Sequence, residues 1–345
     1  MAADRLYLDH AATTPMLASA KAAMAQAMDS WANPSSPHAE GRAARAALEG
    51  ARSRIAAALG WKGHVLLTSG ASEAIAIGVT RAKASEICTS PVEHDSVLRV
   101  TPDAARLAVT TDGLVELQSM AYRPSQLVAV QHVNNETGVI QPLGQMRREG
   151  VIVFADCAQS AGKLPLPDAD MIAISAHKFG GPPGVGALLV RDLSLVEPCG
   201  GQEQGYRAGT ENLPGVLAMA AALEQGGDWL ASAAQLRGRL DEAIEAAGGE
   251  IVARAAPRIP TIASYRMPGL SARSQLIQFD LAGISVSAGS ACSSGSLKTS
   301  HVLRAMGWDE TAASEVVRVS FGPSTSEADI GRFIDQWVKM AERRR

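Results

Sequence analysis

The sequence predicts an α/β protein, with a large domain built on a mostly parallel sheet between helices and a smaller α+β domain beside it. Two observations carry the larger part. Residues 151–155 and 171–174 are apolar, rich in β-branched side chains and too short for helices, so they read as strands buried on both faces. Strand and helix patterns then alternate through residue 190, as parallel pairing requires. A third observation sets the boundary. Beyond Gly248-Gly249 short strand patterns prevail, which assigns residues 16–249 to the large domain and 1–15 with 250–345 to the small one. A chain of 345 residues is long enough for two such cores.

Taken in order, residues 7–10 are short and extended, and Ala11-Ala12-Thr13-Thr14-Pro15 breaks them. Leu17, Ala20, Met24, Met28 and Trp31 recur at helical spacing and predict an amphipathic helix over 16–31. After the rigid polar loop 33–38, an alanine-rich helix runs over 39–59 and stops at Gly60. Residues 64–67 form a strand, and Thr68-Ser69-Gly70-Ala71-Ser72-Glu73 turns it into a helix reaching about Ala84. Residues 86–89 and 127–130 are further strands. Residues 213–247 read as one helical stretch, and 259–265, 285–287 and 316–321 as strands, with a helix near 274–282.

A net charge of −3 gives no basic surface for nucleic acid. No apolar run is long enough to cross a bilayer, and the first ten residues lack the apolar core of an export signal. A cytoplasmic location is therefore expected. Cys88, Cys157, Cys199 and Cys292 are scattered, with neither a CxxC pair nor the Cys/His spacing of a zinc site, so reduced thiols and no metal are expected. No GxGxxG follows a strand, which argues against a nicotinamide enzyme.

In open α/β sheets ligands sit at the carboxyl ends of strands, and here those ends are polar. One strand leads into Asp156-Cys157-Ala158-Gln159 and the next into Ser175-Ala176-His177-Lys178, while His94 and Asn135 follow others. An acid and a lysine in one crevice suit pyridoxal phosphate, which needs a lysine for its Schiff base and an acid to keep its pyridine nitrogen protonated. The same two residues would also serve as a turn cap and a solvated loop charge. The turn over 68–73 points backbone N–H groups at an anion, or is simply a capped helix start. The glycine-rich loop 199–212 is long enough to carry function or an interface. Cys292 sits among serines, alanines and glycines in 287–296, as a mobile thiol or a thiol in a small-residue turn. Arg318 lies inside a strand pattern, where an unpaired charge is costly. A carboxylate partner is expected for it, from the protein or from a substrate.

In order and spacing, YLDHAATTP, TSGASE, HVNNETG, DCAQSAGK, SAHKFGGPPGVG, GGQEQGYRAGTEN, SAGSACSSGS and VRVSFG together resemble the cysteine desulfurases. These belong to the class V aminotransferase group, here its nitrogen-fixation and iron–sulfur-cluster branch. The likeness spans nearly the whole chain and implies fold type I with pyridoxal 5'-phosphate as cofactor. It implies an enzyme that converts L-cysteine to L-alanine and passes the sulfur to an acceptor or scaffold protein, as in iron–sulfur cluster assembly. Carried over, Lys178 would form the Schiff base, Asp156 would pair with the pyridine nitrogen, Gln159 would contact the phenolate oxygen and His94 would stack on the ring. Ala71, Ser72, Ser175 and His177 would hold the phosphate, joined by Thr210 from the other subunit of a homodimer. Arg318 and Asn135 would take the substrate carboxylate. Freed Lys178 would remove the Cα proton, and Cys292, as thiolate, would receive the sulfur as a persulfide.

The chain also departs from that family. Pro183 stands where a Lys is usual, Gln204 where an Arg is common, Ala74-Ile75 replaces more polar residues, and the connections after Ala84 and before Val151 are short. None of these positions carries a role in that chemistry. Another class V enzyme, such as a selenocysteine lyase or an aminotransferase, is the alternative reading and leaves the Cys292 loop without a role. A non-catalytic interaction protein on the same fold leaves Lys178, Asp156 and Arg318 without one.

Overall fold

The period-two alternation of the predicted strands decides how the large sheet packs. The computed structural model describes residues 5–29, 32–288 and 299–343. The first elements are β1 (Leu6–Tyr7), α1 (Ala18–Met28), α2 (Ala39–Ala58), β2 (His64–Thr68), α3 (Ala71–Thr80), β3 (Glu86–Thr89) and α4 (Asp95–Leu98). There follow β4 (Ala105–Arg106), β5 (Gln126–Gln131), β6 (Ile152–Asp156), β7 (Met171–Ser175), β8 (Gly186–Val190) and α5 (Leu213–Leu223). The last part holds α6 (Leu230–Ala246), β9 (Glu250–Ile251), β10 (Ile262–Arg266), α7 (Ala272–Leu281), β11 (Ile284–Ser285), α8 (His301–Ala305), α9 (Glu310–Ala313), β12 (Val316–Ser320) and α10 (Glu327–Arg343).

The large sheet has the order β2-β8-β7-β6-β5-β3-β4. Strands β3 to β7 pair in parallel, and β8 runs antiparallel between β7 and β2. Val128, Val130, Val153, Ala155, Ile172 and Ile174 share one core with α1, α2 and α5. The residues between them, Leu127, Ala129, Phe154, Met171 and Ala173, share another with α3. Both faces are covered, which is why these strands read as unbroken apolar runs.

Two expectations need correction. The strand–helix alternation does not continue through 132–170. The crossover from β5 to β6 holds only the short 3₁₀ turn Leu143–Gln145, and that from β6 to β7 holds turns. Pro142, Pro165 and Pro167 sit in these crossovers and disfavour helix there, while α1, α2 and α5 cover that face from elsewhere in the chain. The helical stretch 213–247 is two helices. It breaks at Gly226-Gly227, where Gly226 takes φ +68, a conformation costly for other residues.

A second core joins Leu236, Leu240 and Ile244 of α6 to Tyr265 of β10, Phe279 of α7, and Phe333 and Trp337 of α10. The rings of Phe279 and Phe333 stack with centroids 4.8 Å apart. Beneath them lies the antiparallel sheet β12-β10-β9. The N-terminal stretch is tied to this body, because β1 pairs with β11 and Leu8 O accepts from Ser320 N at 2.8 Å. Among the described residues, no helix is long and apolar enough to cross a membrane.

Candidate active site

Parallel pairing puts the ends of β5, β6 and β7 on one edge of the sheet. Register aligns Gln131 with Asp156 and Asp156 with Ala173, two residues before Ser175. A cavity of about 360 Å³ opens there, lined by Ala71, Ser72, His94, Asn135, Asp156, Gln159, Ser175, His177 and Lys178 among others. The structure therefore brings nine of the residues singled out from the sequence to one place.

Lys178 follows β7 in a short 3₁₀ turn, and its Nζ donates to Ala11 O at 2.6 Å and Ala12 O at 2.9 Å. Burial, then the charge of Arg318, lower its pKa to about 8, while Asp156 and Asp9 oppose the shift. An amine so placed is a better nucleophile and base near neutral pH than an exposed lysine. Burial pushes the Asp156 carboxyl up, while the Ala158 N–H, at 2.9 Å from Oδ1, and the charges of His94 and Lys178 pull it down. Such an acid is suited to a cationic group inside the cavity. His94 caps α4 by accepting from Ser96 N at 3.1 Å, and burial lowers its pKa.

The anion cup forms at the start of α3, where Gly70 adopts φ +151 and no side chain caps the helix. Gly186 of β8 comes so close to Gly70 that a Cβ there would lie 2.7 Å from the Gly70 Cα. Two glycines thus keep the turn tight, with the Ser69 N–H held by the Glu73 carboxylate and the Gly70 N–H by Thr68 Oγ1, so that the amides from Ala71 onward are the ones that face an anion. Ser72 Oγ lies 2.9 Å from Ser96 Oγ, which is 2.9 Å from His94 Nδ1, so a polar chain runs from the cup to the His94 ring. His177 Nδ1 is 3.2 Å from Thr13 Oγ1; burial, then Lys178, lowers it to about 4, so the ring is neutral. Gln159 donates through Nε2 to Ala11 O at 2.9 Å and leaves its buried Oε1 without a partner. An uncapped helix start, a buried acid, a lysine of lowered basicity and an orphaned amide oxygen fit pyridoxal phosphate.

Residues that sequence reasoning passed over lie in the strap 9–14. It crosses from the small sheet to the large one. Ala11 N donates to Ser320 Oγ at 2.9 Å, and Thr14 N to His177 O at 2.8 Å. The strap supplies the carbonyls that hold Lys178 and Gln159, and Asp9, whose Oδ1 accepts from Arg318 Nη2 at 2.8 Å. Arg318 Nη1 donates to Asn135 O at 2.9 Å. The carboxylate expected for Arg318 is thus supplied by the protein. The signal was the arginine in β12, which demanded an acid without saying which.

Not every expected residue reaches the cavity. Asn135 lines it and Arg318 does not. Thr210 is exposed in this single chain and also away from the wall. Its loop is anchored by Glu203, paired with Arg52 at 2.6 Å and accepting from Leu67 N at 2.8 Å. Cys292 lies outside the described residues. Pro183, expected to stand apart from the chemistry, forms part of the wall.

Comparison with known proteins follows the same lines. The family model "Aminotransferase class-V" matches residues 6–333. A cysteine desulfurase of Cereibacter sphaeroides is 35% identical, over 96% of this chain and 94% of that protein. The solved structure of a NifS-like protein from Rickettsia africae superposes with a TM-score of 0.90 at 28% identity, covering 98% of this chain and 100% of that one. A structure described as SspA in complex with cysteine superposes at 0.81 with 31% identity, covering 93% of this chain and 100% of that one.

Proposed function

The chain belongs to the class-V aminotransferase family, among its cysteine desulfurases, and on that premise we propose that it converts L-cysteine to L-alanine and delivers the sulfur to an acceptor protein. The observation that carries the reading is the meeting of Lys178 and Asp156 with the uncapped start of α3 at one cavity. The solved relative described with cysteine supports that substrate.

In this reading Lys178 would hold pyridoxal phosphate, Asp156 would pair with its pyridine nitrogen, Gln159 would contact its phenolate oxygen and His94 would stack on its ring. Ala71, Ser72, Ser175 and His177 take the phosphate, and Thr210 completes the cup of the other subunit in a homodimer. Bound there, the cofactor supplies an electron sink for bonds broken at the substrate α-carbon. Lys178 Nζ, once freed by the incoming substrate amine, would take the Cα proton, and the burial that lowers its pKa favours the neutral amine this needs. Asn135 and Arg318 orient the α-carboxylate. Cys292 takes the substrate sulfur as a persulfide, and the carbon skeleton leaves as alanine. The division into residues 16–249 and 1–15 with 250–345, and a cytoplasmic location, belong to the same proposal. Purified protein given L-cysteine and a reductant is expected to release alanine and sulfide in equal amounts. Alanine without sulfide, or neither product, would overturn the reading.

A further inference from the structure

Arg318, the residue read above as the one that takes a substrate carboxylate, is already occupied by a carboxylate. Its Nη2 lies 2.8 Å from Asp9 Oδ1, its Nη1 donates to Asn135 O, and its buried Nε has no partner among the described residues. The two partners differ in freedom. The Arg318 side chain is 5% exposed and that of Asp9 21%. Arg318 is also the only hydrogen-bond partner of the Asp9 carboxylate among the described residues. The Asp9 backbone is fixed, because its carbonyl accepts from Tyr7 OH at 3.1 Å and Ala12 N at 3.0 Å, so only the side chain is free to turn away. Asn135, to which Arg318 stays anchored, is on the cavity wall.

We propose that Asp9 is a stand-in carboxylate that holds Arg318 until the α-carboxylate of an amino-acid substrate replaces it. The proposal rests on the reading of Arg318 as the carboxylate-binding residue. Its physical basis is an exchange. Trading one carboxylate for another on a buried guanidinium keeps the charge paired, whereas releasing Asp9 with nothing in its place leaves a buried cation alone. A thiol amine without a carboxylate therefore leaves the Asp9–Arg318 pair closed. Asp9 acts through Arg318 and is a positioning residue that selects for carboxylate-bearing substrates.

The test uses the cofactor-loaded protein and L-lactate, which has the carboxylate and three-carbon skeleton of alanine but no amine. Asp9→Asn keeps the shape and a hydrogen-bond acceptor while removing the competing charge. Calorimetry is expected to show L-lactate binding about ten-fold tighter in this variant, with KM for L-cysteine falling by a similar factor and kcat not rising. Arg318→Ala is expected to abolish L-lactate binding. Unchanged or weaker binding in Asp9→Asn, together with its loss in Arg318→Ala, would overturn the exchange while sparing Arg318. Undiminished binding in Arg318→Ala would instead remove Arg318 from the site, and the exchange with it. A crystal structure of the unmutated protein with L-lactate gives an answer that no folding defect can blur. The guanidinium should contact the ligand carboxylate with Asp9 turned away, and an intact Asp9–Arg318 pair beside bound L-lactate would overturn the proposal.

Discussion

The cavity wall and the arginine joined to it through Asn135 form two sides, and the two sides are built differently. On the large sheet, Asp156 ends β6 and Lys178 follows β7, and each is steadied by backbone: the Ala158 N–H for the acid, the Ala11 and Ala12 carbonyls for the amine. On the small sheet, Arg318 comes from β12, an edge strand whose outer side, among the described residues, is bridged only at single residues, to Asp9 and Ser287. Its charge is paired with a partly exposed acid, and its Nε has no partner among the described residues. Parallel strands with both faces buried make a frame that hardly moves, suited to a group that stays. An edge arginine with a replaceable partner suits a ligand that comes and goes.

The largest expected effects lie on the rigid side. Lys178→Ala should leave no measurable alanine production, and borohydride reduction of the unmutated, cofactor-loaded protein should tag Lys178 in peptide mass spectrometry. Asp156→Ala removes the buried acid that would pair with the cofactor's ring nitrogen, a loss of about 3–5 kcal/mol, so kcat should fall roughly 150- to 5,000-fold. A tag on any other lysine would break the comparison at its root, because the staying group would not be held by the large sheet.

Next in size is the small sheet. Arg318→Ala truncates a desolvated charge pair at a cost of about 2–5 kcal/mol, so kcat/KM for L-cysteine should drop roughly 30- to 5,000-fold. The loss should fall more on KM than on kcat, and cysteamine should be a poor substrate of the unmutated protein. If kcat alone collapses while KM holds, Arg318 serves the chemistry, and the division between a staying and an exchanging side fails.

The rigid side was the more legible in sequence, for a physical reason. A parallel sheet sends all its strand ends to one edge, so residues such as Asp156, Ser175 and Lys178 converge by position in the pattern alone. The strap was not legible in the same way. It acts largely through the carbonyls of Ala11 and Ala12, which every residue type possesses. Asp9 pairs with an arginine 309 residues away, and nothing local marks it among 35 acids. The missing crossover helices were written in Pro142, Pro165 and Pro167, and the split between α5 and α6 in Gly226-Gly227. Alternation elsewhere and an alanine-rich pattern that resumes past the glycines outweighed both.

The smallest effect is on stability and concerns a second buried amine behind the rigid side. Lys163 and Lys178 both line a further cavity of about 140 Å³. The Lys163 Nζ donates only to Gln159 O, at 3.2 Å, and has no acid partner among the described residues. Burial, then the charge of Lys178, lowers its pKa from 10.5 to about 7. Below pH 7 the amine is protonated in both the folded and the unfolded chain, and folding bears the full cost of burying a cation. Between about 7 and 10.5 only the unfolded chain keeps the proton, so the cost shrinks as pH rises, and above 10.5 it is gone. The shift corresponds to as much as roughly 5 kcal/mol near pH 6, reduced by whatever water the cavity admits and by the lost bond to Gln159. Lys163→Met should therefore raise Tm by several degrees at about pH 6 and by much less at about pH 10, with L-lactate binding at Arg318 untouched. An equal change in Tm at both pH values would show that the Lys163 charge costs the fold nothing. A simultaneous change in L-lactate affinity would show that the two sides of the cavity are one mechanical unit, and the contrast drawn between them would have to be abandoned.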